Sequence, residues 1–332
     1  MRCTSLYRQG HVDEAGLAVI DRPDPVPGPG EVLIAVRACA CCRTDLQIVE
    51  GDLALHHRPI VPGHQAVGIV LERGPGVEGV AIGDRVGVGW LAGACGQCTH
   101  CTHGRENLCE KASFTGWDRD GGFATRLVAR HDFVFPIPSG FTDLAAAPLL
   151  CGGVIGYRAF RLTGLSSGAR LGLYGFGASA RLTIQVARHF GCEVFVATRS
   201  GREQSRAMDL GAVWTGSYGE RPPRPLDAAI TFAPAGEVVL AALRAVDRGG
   251  IVVINAIHLD RIPPFPYELL WWERSLKSVA NYTRADAREF LALAAKIPIR
   301  TDFEVHPLGD TRIALERLQN GTASGASVIH PS

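Results

Sequence analysis

Arg170-Leu-Gly-Leu-Tyr174, followed by Gly175-Phe-Gly177-Ala-Ser-Ala180, joins a short apolar strand to a glycine turn. Ala178–Phe190 then carries helical periodicity through Ala180, Ile184, Ala187 and Arg188. Gly191 stops that helix, and Glu193–Ala197 reads as a second strand, so the stretch is one βαβ unit. Its turn fits G-x-G-x-x-G/A in the strand-to-helix context that gives the pattern meaning. Gly175 permits the tight turn, Gly177 lets a pyrophosphate approach the backbone, and Ala180 lets helix and strand close on each other. The helix N-terminus adds free N–H groups and the positive end of a dipole. The unit therefore predicts dinucleotide binding.

Downstream, a helix over Glu203–Leu210 leads to strands at Asp227–Phe232 and Gly250–Asn255, with a helix Gly236–Val246 between them. This alternation predicts a parallel sheet with helices on both faces. Upstream, the first 150 residues are β-rich. Short apolar runs at Glu31–Arg37, Ala66–Leu71 and Arg85–Val88 are punctuated by Gly and Pro, which suggests a small barrel-like or irregular β domain. From about Arg284 come a helix (Asp286–Ala295), a strand (Phe303–His306), a helix (Asp310–Asn320) and a last strand, Ala326–His330. A terminal strand needs a sheet to pair with, so the tail is expected to return to the first domain. The chain of 332 residues suits two domains. The expected division is 1–152 with a cysteine lobe near 90–112, then 153–283, then the returning segment 284–332. The fold class is α/β.

The tip of the second strand reads Ala197-Thr198-Arg199-Ser200-Gly201-Arg202. An NAD site usually places a carboxylate there for the ribose hydroxyls. Here two guanidinium groups stand instead, and arginine pairs with phosphate in bidentate fashion. Thr198, Arg199 and Arg202 therefore predict NADP(H) as the preferred cofactor, with NAD(H) possible. The alternative is that both arginines are solvated surface charges.

Cys95-Gly-Gln-Cys98-Thr-His-Cys101 and Cys109 place four thiols in one short segment. Four thiolates around Zn²⁺ form a closed structural site. A disulfide cluster or a set of buried thiols is the alternative, disfavoured because no secretory context is evident among ten cysteines. Cys42, His64 and Cys151 are further candidate ligands, each at a loop or strand end, and Cys₂His is one ligand set of catalytic zinc. Their spacing alone does not establish a site, and Cys39 and Cys41 rival Cys42 on composition. With 34 basic and 33 acidic residues the net charge is +1, so no basic face for nucleic acid or anionic membrane is implied. No apolar run reaches membrane-spanning length, and the expected compartment is the cytoplasm.

Taken in order, Cys42-Arg-Thr-Asp45, Pro62-Gly-His64, Gly83-Asp-Arg-Val86, the four-cysteine run, Gly121-Gly-Phe-Ala124, Leu150-Cys-Gly-Gly153 and Gly175–Ala180 form a specific series. From about Pro25 onward the chain resembles a zinc-dependent alcohol dehydrogenase of the medium-chain dehydrogenase/reductase superfamily. The resemblance implies a GroES-like catalytic domain, a Rossmann domain and a cleft between them. It implies two zinc ions per chain, a catalytic one on Cys42, His64 and Cys151 and a structural one on Cys95, Cys98, Cys101 and Cys109. It further implies that Arg43 contacts the cofactor pyrophosphate, that Thr44 hydrogen-bonds the substrate oxygen and relays its proton, and that Asp45 orients the histidine ligand. Trp90 matches a pocket-lining aromatic, though ordinary core packing would account for it equally. Cys3, Cys39, Cys41 and Cys192 match no ligand position.

Three residues depart from the family pattern. Gln65 replaces a glutamate beside the histidine ligand, Gln47 replaces a relay histidine, and Ala326 replaces a cofactor-contacting arginine. The expected activity is reversible alcohol oxidation by hydride transfer to NAD(P), in a dimer or tetramer. The alternatives are an NADPH-preferring zinc aldehyde or cinnamyl-type reductase, a non-catalytic nucleotide-sensing zinc protein, and zinc-knuckle nucleic-acid binding.

Overall fold

A computed structural model describes residues 1–257, 259 and 261–331. The chain divides into two compact units, Met1–Cys151 with Thr283–Ser332, and Gly152–Tyr282.

The second unit is built on a six-stranded sheet. Across it run Trp214–Gly216, Glu193–Ala197, Arg170–Tyr174, Leu226–Thr231, Val246–Ile254 and Ser275–Ser278, every neighbouring pair parallel. In chain order this is 3-2-1-4-5-6, the doubly wound arrangement whose ligand crevice lies where the order reverses. The reversal falls between Arg170–Tyr174 and Leu226–Thr231, beside the Gly175 turn. Gly175 has φ +92°, and a Cβ there would meet the Ala233 backbone nitrogen at 2.8 Å, so the position requires glycine. The central strands are buried on both faces, with Leu171, Leu173, Val194, Val196, Ala228 and Ile230 fully enclosed. The outer strands Trp214–Gly216 and Ser275–Ser278 are not predicted from the sequence. They are three and four residues long, and Ser275-Leu-Lys-Ser278 offers one apolar side chain.

The first unit holds a seven-stranded, mostly antiparallel sheet. Its longest member, Glu31–Ala40, pairs with Ala66–Arg73, Arg126–Arg130 and the last strand, Ala326–His330. That strand runs three residues beyond Arg37, because Ala38, Cys39 and Ala40 are buried and pair with both Ala66–Val67 and Val328–Ile329. Phe303–Pro307 pairs parallel to Ala326–His330 at the sheet edge. Two short strands, Leu91–Gly93 and Ser113–Phe114, form the base of the cysteine lobe. Among the described residues, no helix is long and apolar enough to cross a membrane.

Candidate active site

The first unit assembles Cys42, His64 and Cys151 from three separate elements. Cys42 stands at the N-cap of the helix Arg43–Glu50, which buries Leu46, Ile48 and Val49 and ends at Gly51 in the left-handed region. His64 lies in the connection before Ala66–Arg73. Gly121 and Gly122 hold that connection through N–H bonds to Val61 O (2.6 Å) and Gly63 O (2.7 Å). A Cβ at Gly121 would sit 2.1 Å from Gly63 O, which gives the Gly121-Gly122 pair its reason. Cys151 follows a 3₁₀ turn, Ala147–Leu150, anchored by the buried Leu149 and Leu150.

The ligand atoms of these three residues lie within 4.8 Å of one another. Cys42 Sγ and Cys151 Sγ are 3.9 Å apart, too far for a disulfide and close to the ~3.8 Å separation of two sulfurs bound to one zinc at about 2.3 Å. Asp45 organises the group. Its fully buried carboxylate accepts from Cys42 N–H (2.8 Å), Gly63 N–H (3.1 Å) and His64 Nδ1–H (2.9 Å). A carboxylate only accepts, so His64 Nδ1 carries a proton and Nε2 is the ring nitrogen left for a metal. That Nε2 is buried and has no hydrogen-bond partner. Two thiols and an orphaned imidazole nitrogen oriented by a carboxylate form the donor set of an open tetrahedral zinc site.

Burial and neighbouring groups shift every ionisable member of this cluster. Burial pushes Asp45 up despite the opposing His64. Burial alone would lower His64, but Asp45 and Cys42 outweigh it and raise the imidazole to about 10. The shared hydrogen bond with Cys151 holds Cys42 well below its usual range and pushes Cys151 well above. Burial also pushes Cys39 and Cys41 well above theirs, and both lie outside the ligand group.

Thr44 is buried, with its hydroxyl 3.8 Å from Cys42 Sγ. Gln65 turns away from the ligands and donates from Nε2 to Ala40 O (3.2 Å). Gln47 is buried, and its amide oxygen has no partner. Trp90 stands edge-on to His64 at 5.0 Å and stacks on Phe114 (5.0 Å) and Trp117 (6.1 Å). Phe114 and Trp117 are not marked by the sequence, since neither belongs to a motif; only their aromatic identity near Trp90 could point to them.

The four cysteines Cys95, Cys98, Cys101 and Cys109 form a second group with all sulfurs within 4.8 Å. Cys95 and Cys101 sulfurs are 3.8 Å apart, and every cysteine of the chain is a free thiol. Backbone N–H groups of Gln97 and Cys98 lower Cys95 to about 6, whereas burial and its neighbouring thiols raise Cys101 to about 12. Clustered thiols divide in this way because they cannot all ionise without a cation between them.

In the second unit the glycine turn opens the helix Ala178–His189, capped by Gly177. A Cβ at Gly177 would meet nothing within 4 Å, so space lies open over the backbone where a pyrophosphate needs to approach, while Ala180 is fully buried. At the strand tip, Thr198 is buried, and Arg199 and Arg202 are exposed. The nearby Glu203 pairs with Arg181 and Arg206. Among the described residues neither Arg199 nor Arg202 has a carboxylate partner. Tyr218 is a further residue here. Thr198 N–H donates to Gly216 O (2.9 Å), which brings the strand end bearing Tyr218 alongside. Burial raises the Tyr218 phenol, opposed by Arg199 and by a hydrogen bond with Thr198. No motif marks Tyr218; the parallel pairing of Glu193–Ala197 with Trp214–Gly216 brings it in.

Residues 28–139 match the alcohol dehydrogenase GroES-like domain family. The whole chain is similar to a probable alcohol dehydrogenase, AdhA, of Mycobacterium tuberculosis, 46% identical and covering 99% of this chain and 97% of the relative. An alcohol dehydrogenase of Geobacillus stearothermophilus is 33% identical over 90% of this chain and 91% of its own length. Among solved structures, a cobalt- and zinc-bound thermostable alcohol dehydrogenase from Pyrobaculum aerophilum superposes with TM-score 0.90 at 26% identity, covering 100% of this chain and 99% of that one. A cinnamyl alcohol dehydrogenase from Sorghum bicolor gives TM-score 0.88 at 26% identity, covering 98% and 97%.

Proposed function

The chain belongs to the zinc-dependent alcohol dehydrogenases of the medium-chain dehydrogenase/reductase superfamily, and on that premise we propose a role for each residue of its site. Cys42, His64 and Cys151 hold the catalytic zinc, and Cys95, Cys98, Cys101 and Cys109 hold a structural one. The observation that carries the first assignment is the buried, unpartnered His64 Nε2 grouped with two sulfurs. When bound, the metal supplies a Lewis acid that lowers the pKa of an alcohol, and the nicotinamide supplies the hydride acceptor.

The chain's own residues do the rest. Asp45 fixes the His64 ring and tautomer and ties the Cys42 and Gly63 backbones together. Thr44 takes the proton of the substrate hydroxyl and hands it on. Gln47 cannot titrate, so the proton leaves through water. Trp90, with Phe114 and Trp117, supplies an apolar wall beside His64. Gly175, Gly177 and Ala180 serve the cofactor pyrophosphate, and the resemblance gives Arg43 a pyrophosphate role as well. Thr198, Arg199 and Arg202 favour NADP(H), with Tyr218 alongside. The unpaired state of both guanidinium groups supports this preference, and the absence of a carboxylate at the tip leaves NAD(H) the weaker cofactor.

The protein acts as a homo-oligomer, a dimer or tetramer. The exposed Tyr267, Trp271 and Trp272, near the outer strand Ser275–Ser278, support this, and light scattering on the purified protein checks it. Ten cysteines with no disulfide among them support a reducing, cytoplasmic compartment. The test of the whole reading is to follow nicotinamide absorbance with primary alcohols, secondary alcohols and aldehydes and each cofactor, with metal analysis on the same protein. The expected result is turnover favouring NADP(H), with close to two zinc per chain. A content near one that Cys42→Ala leaves unchanged would remove the catalytic assignment.

A further inference from the structure

Glu106 sits inside the four-cysteine segment, in the single 3₁₀ turn Glu106–Leu108 between Cys101 and Cys109. Its carbonyl accepts from Cys109 N–H (3.1 Å), so closing the sulfurs fixes its backbone. Its side chain is 5% exposed. The carboxylate does not serve the cysteines. Its Oε1 accepts both the backbone N–H (2.8 Å) and the Nε–H (3.2 Å) of Arg284, 178 positions along the chain.

Arg284 is the first residue of the helix Arg284–Ala294, where the chain re-enters the first unit. The helix start is fixed by Thr283 and Asp286, each accepting from the other's backbone N–H (2.8 and 3.1 Å). The other arm of Arg284 donates to Asp132 Oδ2 (3.0 Å), and the Asp132 carboxylate also takes a bidentate pair from Arg130, at Oδ1 (3.0 Å) and Oδ2 (2.9 Å). Arg130 Nη1 in turn reaches Ala94 O (3.4 Å), immediately before Cys95. The ring of Phe133 lies against both guanidinium groups, at 4.9 and 5.2 Å. Both ends of the cysteine segment thus converge on the residue that opens the returning segment.

We propose that the four-cysteine lobe is a clamp: metal binding there fixes Glu106, and Glu106, as a positioning residue, holds Thr283–Ser332 onto the first unit. This goes beyond local stabilisation of a loop. The returning segment carries Ala326–His330, which pairs with Glu31–Ala40, and Ser327 O accepts from Cys41 N–H (2.7 Å) beside Cys42. The clamp therefore supports the distant ligand group through the main sheet. An exposed ion pair would contribute little. A buried carboxylate that bonds both a backbone N–H and a guanidinium does more, because removing its partner leaves the charge enclosed and unpaired. Coupling of this kind is reciprocal, so the returning helix must also retain the lobe metal.

The inference rests on the zinc reading of the lobe, and one experiment separates the two. Hydrogen–deuterium exchange is measured on the full zinc-loaded chain as wild type, Cys98→Ser, Glu106→Gln and Arg284→Met, with zinc counted in each. Amides of Arg284–Ala294 should exchange about tenfold faster or more in all three variants, the loss expected for one charge-assisted bond, with Arg170–Tyr174 unchanged. The lobe's zinc affinity, titrated against a chromophoric chelator, should weaken about tenfold in Arg284→Met, the same factor by reciprocity. If Cys98→Ser does not fold, Glu106→Gln and Arg284→Met decide alone. Normal zinc content with wild-type protection and wild-type zinc affinity in Arg284→Met overturns the clamp. A wild type without lobe zinc overturns the zinc reading, and the count itself identifies that failure.

Discussion

The two cysteine-bearing groups of this chain have nearly the same sulfur spacing, 3.8 Å in the lobe and 3.9 Å between Cys42 and Cys151, yet they are built in opposite ways. The lobe draws its four sulfurs from one short segment and leaves no donor over. The other group gathers residues up to 109 positions apart, includes one imidazole, and depends on a buried carboxylate for its geometry. A local group can be closed by its own loop, so its metal contributes to folding. A dispersed group exists only once the sheet has formed, and with three donors it leaves a position open for chemistry. On the proposed roles, the contrast between a structural and a catalytic site is a contrast in contact order as well as in ligand type.

The largest effect that could break this contrast is exchange of roles. His64→Ala should lower kcat/KM for an alcohol about a thousandfold or more, since the Lewis acid's several kcal/mol are lost, with an unchanged circular dichroism spectrum. Cys98→Ser should instead lower the melting temperature by roughly 10 °C, at about 2–4 °C per kcal/mol for a chain of this size. A His64→Ala protein with most of its activity would place the chemistry elsewhere.

Asp45→Asn sharpens the comparison, since the lobe has no counterpart to Asp45. It should weaken zinc retention or turnover about 10–100-fold, measured by metal content against chelator concentration and by steady-state kinetics. Equal retention in mutant and wild type would mean that sulfur placement alone sets the dispersed site.

A comparable effect is expected at the cofactor. Arg199→Ala should reduce kcat/KM for NADP(H) relative to NAD(H) about 10–100-fold, the loss of one charge-assisted phosphate contact at about 1.5–3 kcal/mol. An unchanged ratio would return Arg199 to the solvated surface.

The smallest effect concerns the scaffold behind the dispersed group. The Arg317 guanidinium, assisted by Ser324 and His306 and opposed by burial, holds Glu304 down at about 2. Glu304 also accepts from Ser327 Oγ (3.2 Å), and Ser327 O bonds Cys41 N–H. The folded-state pKa is depressed, so the unfolded chain binds the proton more readily and stability rises with pH through this window. The contribution is present above the unfolded value, about 4.3, and is lost as pH falls towards about 2. The melting difference between wild type and Glu304→Gln should therefore shrink steadily from pH ~5 to ~2. A difference independent of pH would show that Glu304 acts by shape alone.

Much of the fold and the site is legible in the sequence. The glycine turn carries its own context, because strand, turn and helix are contiguous and each leaves a periodic or conformational mark. The four-cysteine lobe is legible for the same reason. Cys42, His64 and Cys151 are visible as candidates, but Cys39 and Cys41 compete on equal terms by composition. The main sheet separates them: Cys39 lies in the buried end of Glu31–Ala40, Cys41 follows that strand, and Cys42 caps the helix Arg43–Glu50. Ser275–Ser278 is illegible, because a short polar outer strand takes its structure from pairing with Val246–Ile254.

What the sequence determined by itself is therefore what short-range geometry can enforce: the dinucleotide turn, the closed cysteine lobe, and the residue types available for zinc chemistry. The motif resemblance pointed to Cys42 and Asp45, and the tertiary structure supplied their geometry; it alone decided that Tyr218 joins Thr198 and that Glu106 meets Arg284. Each of these joins distant residues through strand pairing and burial, and neither register nor desolvation is written in the spacing of the residues concerned.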